Sequence, residues 1–343
     1  MEQTLKKRGV LSAEKLAPVI LLLIAGAFPL IANQPYYIQI AISILFYCFW
    51  SSSWNIIGGY AGQFAMGNGV YIGIGAYAAA MFYQEGGSPW LGTLVGALIS
   101  VVFAFIISRP CFRLTGTYFS LATVAFLFIV RYVVLGFPTL FGVKTNGGVG
   151  MLVKFSGKFS DMQFASKTGY YYLMLVMLVI ILLVSNKIRT SKMGYYLAAI
   201  KTNQGAAATI GVDVVKYKLT AQCICAFFMS LGGSFYVFFL YTVNPARVLS
   251  YGMSLEPMIY CVIGGLGTLW GPVVGAGVLG LLNEVLRVKF GSDVAPLAMA
   301  FYGVALALIV RFIPGGLWGL ITRTKTRVVN KLAQKRPAGK EAK

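Results

Sequence analysis

The chain has 343 residues, 58% hydrophobic and only 11% charged, with a mean hydropathy of +0.77. Soluble domains carry about a quarter charged residues, so a soluble globular fold is excluded and a polytopic membrane protein is indicated. The net charge is +20, from 29 basic and 9 acidic residues; in so apolar a chain this points to the Lys/Arg excess of cytoplasmic loops, and no nucleic-acid partner is inferred.

Residues 1–15 read as a cytoplasmic N-terminal segment. Lys6, Lys7 and Arg8 precede the apolar run Leu16–Ala32. That run is long for a signal core and lacks a convincing small-residue cleavage site, so it reads as the first span. Further candidate spans are Tyr36–Ile57, Gly59–Phe82, Leu91–Ile107, Gly116–Leu135, Gly169–Ser185, Leu219–Tyr241, Leu255–Thr268, Trp270–Leu286 and Pro296–Ile313. The eighth is short and carries Gly264, Gly265 and Gly267 as potential breakers; one long tilted span over the eighth and ninth is the alternative. The sum is an all-α polytopic membrane protein of about ten transmembrane helices over 16–321, with a basic cytoplasmic tail over 322–343.

Basic residues set the orientation. The N-terminus, the Arg109–Arg113 turn, the segment 187–218 and the tail hold twenty of the 29. With ten spans all four groups share one face, which the positive-inside rule makes the cytoplasm. Lys144, Lys154, Lys158 and Lys167 fall on the other face. Ten spans also divide into two inverted five-helix halves, each with a Gly-rich third span, as in many transporters.

The first Gly-rich run is GGYAGQFAMGNGVYIGIGAY, from Gly58 to Tyr77. Ala61, Ala65, Gly69 and Gly73 recur every four residues and predict one strip of small side chains on a helix. A second strip, Gly267, Gly271 and Gly275, lies in GGLGTLWGPVVGAG. Such strips let helices pack closely in lipid. They also suit broken segments around a solute pathway. Both readings stand on the sequence. Gln63 and Asn68 are amides in an otherwise apolar run, and buried amides need partners; those partners are neighbouring helices or a wet cavity.

Between the sixth and seventh spans lies SKMGYYLAAIKTNQGAAATIGVDVVKYK, Ser191 to Lys218. Leu197, Ile200, Ala207 and Ile210 share one helical face, while Lys201, Asn203 and Gln204 lie off it. Gly211 reads as a helix stop. A short amphipathic helix or helix pair is predicted, either lying on membrane lipid or seated in a groove of a partner.

Absences narrow the function. There is no histidine, hence no histidine base and no His-containing zinc site. Cys223 and Cys225 are two apart and face different ways on a helix, and the five cysteines give no disulfide framework. No metal site is predicted. No GxxxxGK[ST] occurs, so no P-loop cradles a nucleotide. No acidic residue falls clearly at a span centre, as a proton-coupled carrier usually requires; Glu284, in NEVLRVK, reads as the polar end of a span. The chain reads as a mover of solute, not an enzyme, with its energy supplied elsewhere.

Three segments in order resemble the branched-chain amino acid ABC permeases of the LivM type: the first Gly-rich run, Ser191–Lys218 followed by LTAQCICAFFMSLGGSFY, and IGGLGTLWGPVVGAGVL. RLTGTYFSLATVAFLFIVR, from Arg113, and TNGGVG, from Thr145, also fit. The resemblance implies a permease subunit in the cell membrane with both termini cytoplasmic. It implies ABC ATPase subunits, a second permease subunit and an extracytoplasmic solute-binding protein as partners. ATP would be used by the ATPase, with no cofactor on this chain. The cargo would be a branched-chain or other amino acid; urea, short amides or sugars are alternatives within related permeases, and an ATP-independent secondary carrier is the alternative outside them. Gln63, Gly67, Asn68, Gly73, Gly267 and Gly271 become candidates for the substrate path. Leu197, Ile200, Asn203, Ala207 and Gly211 become candidates for coupling to the ATPase. Departures from the family pattern fall at Asn68, where histidine is common, and at Phe128, where glutamate is common. The segment also lacks the usual acidic residues near Thr202 and Gln204 and an arginine near Tyr195.

Overall fold

Pro35 opens helix α1 (Pro35–Asn55), where a missing N–H is harmless, and the helix passes into a π-helical turn at Ile56–Tyr60. In this computed structural model the described residues are 25–29, 34–290 apart from 115 and 141, 303–304, 311, 315–320 and 322. After the π turn the backbone is non-helical through residues 61–68, and α2 begins only at Gly69 (Gly69–Gln84). The predicted continuous span Gly59–Phe82 is therefore broken. Ala61 and Ala65 do not share a helical strip with Gly69 and Gly73. Gly62 takes φ +67°, a conformation that ends helical propagation and that glycine adopts without strain.

Helices α3 (Pro89–Cys111), α4 (Thr117–Gly136) and α5 (Lys167–Thr190) follow. The segment between α4 and α5 carries a small hairpin, β1 (Thr139–Leu140) with β2 (Val143–Lys144), and strand β3 (Met151–Leu152). The segment 191–213 is a helix pair, α6 (Lys192–Thr202) and α7 (Gln204–Thr209). Helix α8 (Val214–Leu240) starts on Asp213, whose carboxylate accepts from the Lys216 N–H at 3.0 Å. Strand β4 (Thr242–Val243) then pairs antiparallel with β3, Met151 opposite Val243. A short turn of helix, α9 (Pro245–Val248), leads to α10 (Tyr251–Gly265) and α11 (Gly271–Phe290).

Among the described residues, α1 with its π turn, α3, α4, α5 and α8 are long and apolar enough to cross a membrane. The eighth and ninth predicted spans are separate helices, because Gly265 and Gly267 both take positive φ between them. Residues 1–15, most of the first span Leu16–Ala32 and of the tenth, Pro296–Ile313, and nearly all of the tail 322–343 lie outside the described residues, so ten spans and inverted halves remain an expectation.

Helices α2, α3 and α8 pack mutually, and α1 joins them to α5, α10 and α11. Small residues set the α2–α8 crossing. A Cβ at Gly75 would lie 2.0 Å from the Ser230 carbonyl oxygen, and one at Gly233 would lie 2.1 Å from that of Ile72. Ser234 Oγ donates to the Gly75 carbonyl at 3.0 Å. Close backbone approach with hydroxyl bonds is how helices adhere without a hydrophobic drive.

Candidate functional site

Non-helical backbone is tolerated at membrane depth only where protein or a wet cavity satisfies its polar groups. In the segment 61–68 side chains from other elements supply much of that satisfaction. Ser120 Oγ on α4 donates to the Phe64 carbonyl at 2.6 Å, and Thr123 Oγ1 accepts from the Met66 N–H at 3.2 Å. Trp54 Nε1 donates to the Ala65 carbonyl at 2.8 Å. Ser254 Oγ on α10 accepts from the Gly69 N–H at 2.7 Å, where α2 begins. Gly67 permits the α4 crossing: a Cβ there would lie 1.9 Å from the Thr123 carbonyl oxygen.

The two sides of this segment differ. Asn68 is 1% exposed. Its Oδ1 accepts from Gln222 Nε2 at 2.9 Å, and its Nδ2 donates to Cys225 Sγ at 3.4 Å. Gln222 Nε2 also reaches Tyr71 Oη at 3.1 Å. Asn68 is thus tied into the α2–α8 core. Gln63 is half-buried and makes only a long contact to the Ala61 carbonyl, 3.5 Å, while its neighbour Phe64 is exposed. Gly73 seats Leu249, whose Cδ2 would lie 2.2 Å from an added Cβ.

At the start of the break the two glycine motifs meet. Asn55 Oδ1 accepts from the Gly267 N–H at 3.0 Å, and Asn55 Nδ2 donates to the Thr268 carbonyl at 2.9 Å. A Cβ on Gly59 would lie 2.8 Å from Gly267 N. Gly271 packs under the same turn, its N–H donating to Thr268 Oγ1 at 3.0 Å.

The helix pair docks here. Lys201 Nζ donates to the Gly59 carbonyl at 2.8 Å, and the lysine stem crosses Gly62. Lys201 as a whole stays exposed, while the partial burial of its ammonium lowers its pKa. Leu197, Ile200 and Ala207 are buried within this chain, Ile200 and Ala207 against Val214. Asn203 caps α7, its Oδ1 accepting from the Ala206 N–H at 3.0 Å. Gly211 takes φ +85° and ends the pair, as the sequence predicts. Ile210, expected on the buried face, is 75% exposed because the chain turns at Asn203 between two helices.

Several of these groups escape the sequence reading. Asn55, Ser120, Thr123, Gln222 and Ser254 bond across the fold, and Lys201 looks like a solvated charge. The one signal available is the i, i+3 spacing of Ser120 and Thr123 on an apolar helix.

A family described as branched-chain amino acid transport system permease component matches residues 36–323. The high-affinity branched-chain amino acid transport system permease protein LivM of Salmonella typhimurium is 26% identical over 325 residues, covering 89% of this chain and 75% of that protein. The protein of the same name from Escherichia coli is 25% identical over 94% of this chain and 78% of its own length. The ribose import permease protein RbsC of Escherichia coli is 26% identical over 124 residues, 35% of this chain and 39% of that protein. No solved structure matches the chain. With most of the chain matched and its long helices apolar enough to span a membrane, the protein belongs to the ABC permease family described as branched-chain amino acid transport system permease component, and is a multi-pass membrane protein.

Proposed function

We propose that this chain is the permease subunit of an ABC importer for branched-chain or chemically similar amino acids. Solute passes along the open side of the segment 61–68, past Gln63, with Gly67, Gly73, Gly267 and Gly271 providing the close packing that holds the break open. ATPase subunits bind ATP and seat the α6–α7 pair. A second permease subunit and an extracytoplasmic solute-binding protein complete the machine, and the pair lies on the cytoplasmic side. The observation that carries this reading is the lysine link: the element offered to a partner is bonded to the π turn that leads into the membrane break. Movement of the pair therefore reaches the path directly.

A sugar cargo is the second reading, favoured by the match to the ribose permease over about a third of the chain. The test is uptake by proteoliposomes holding the complete complex. ATP-dependent accumulation of leucine, isoleucine or valine, and not of ribose, is expected. Ribose uptake alone would move the assignment to sugars, and accumulation without ATP would make it a secondary carrier.

A further inference from the structure

A second polar site lies at the other end of the bundle. Phe235, Tyr236, Phe239 and Leu240, at the far end of α8 from the α6–α7 pair, line a cavity of about 240 Å³. Twenty or more helical residues separate it from Val214, roughly 30 Å at 1.5 Å per residue. Three charged side chains from three elements line it: Arg247 on α9, Glu256 on α10 and Glu284 on α11. Phe46, Trp50 and Tyr236 form an aromatic wall. The Arg247 guanidinium lies 6.0 Å from the Tyr236 ring centre. Glu284, expected at the polar end of a span, is 2% exposed.

Here the charges border an open volume near the small end of ligand pockets, which run from about 300 Å³. The lining supplies the complements of one compact molecule: a guanidinium for a carboxylate, carboxylates for an ammonium, and apolar ring faces for an aliphatic side chain. A sugar has no use for such charge separation.

We propose that this cavity is a loading site for a zwitterionic, apolar α-amino acid, on the side of the membrane away from the ATPases. Arg247 holds the ligand carboxylate, Glu256 and Glu284 face its ammonium, and Trp50 and Phe46 cover its side chain. The proposal rests on the amino-acid importer reading and adds a site that the break at 61–68 does not contain.

The test is binding of tritiated L-leucine to the purified full chain in lipid nanodiscs, with isoamylamine and 4-methylpentanoate as competitors lacking the carboxylate and the ammonium. Saturable leucine binding is expected, with both competitors at least tenfold weaker than leucine. Arg247→Gln and Glu284→Gln should each raise the Kd tenfold or more. Arg247 is exposed, so R247Q decides the matter if E284Q fails to elute as a single folded species. Leucine binding unaltered in R247Q and E256Q would overturn the proposal. So would absent leucine binding with phosphatidylethanolamine retained by the wild type and lost from R247Q, which would give the cavity to a lipid headgroup. Uptake by the full complex separates the two readings: normal leucine uptake in R247Q sinks the loading site and leaves the importer standing. Lack of leucine uptake by the wild-type complex sinks the importer reading, while binding to this chain still decides the cavity.

Discussion

The Lys201 ammonium donates to the Gly59 carbonyl across 2.8 Å, joining the only long cationic side chain of the α6–α7 pair that reaches the break to the π turn of α1. The carbonyl it meets is one that the departure from regular helix leaves available. Lys201→Met should keep the pair docked, since Leu197 and Ile200 stay buried, but lower uptake severalfold at unchanged protein yield. Parallel ATPase and uptake rates in proteoliposomes check this: hydrolysis should persist while uptake per ATP falls. Unchanged uptake per ATP would mean that the bond only decorates the contact.

Gly211→Val isolates backbone strain from packing. A Cβ at Gly211 meets nothing within 4 Å, so the cost comes from φ +85° alone. A penalty of about 1–2 kcal/mol is expected. Thermal unfolding should show Gly211→Asn closer to the parent than Gly211→Val. Equal stability of the two would place the helix stop elsewhere.

Asn68 and Gln63 should part company on substitution. Asn68→Leu removes one of the two acceptors of Gln222 Nε2 and the donor to Cys225 inside the core, and is expected to lower stability by about 1–3 kcal/mol. Gln63→Leu removes only a long contact, so the complex should assemble normally while uptake or selectivity changes. A stable Asn68→Leu complex with altered selectivity would move Asn68 onto the path.

Gly75→Val should abolish folded protein. Its branched side chain would drive into the Ser230 carbonyl, which belongs to helix backbone and cannot turn aside. Yield after detergent extraction reads this directly, with Gly136→Val, where an added Cβ meets nothing within 4 Å, as the tolerated comparison.

The positive-inside reading places Ile210 in the cytoplasm and Leu152 outside. Both are well exposed, at 75% and 77%. In intact cells an impermeant maleimide should label Leu152→Cys and spare Ile210→Cys. The reverse pattern would invert the topology.

Much of the helical layout is legible because membrane spans are written in local composition. Gly211 and the Gly264–Gly267 cluster mark stops, while the starts at Pro35 and Pro89 come from the structure. The break at 61–68 is hidden, because a four-residue repeat of small residues looks the same whether it packs a helix or permits its interruption. What separates the two is the supply of hydroxyls from Ser120, Thr123 and Ser254, which are distant in sequence. Arg247, Glu256 and Glu284 are likewise scattered, and only the fold gathers them around one volume.

Asn55 gives both polar atoms of its amide to the turn between α10 and α11, in the manner of a neighbouring β-strand. It stands one residue before the π turn that Lys201 holds. The two interruptions of the bundle are thereby geared together. A displacement entering at the α6–α7 pair cannot draw the π turn away from the α10–α11 turn without breaking the two hydrogen bonds of the Asn55 amide. Parting the two interruptions would leave both polar atoms of a buried amide without these partners, so Asn55 favours their moving as one.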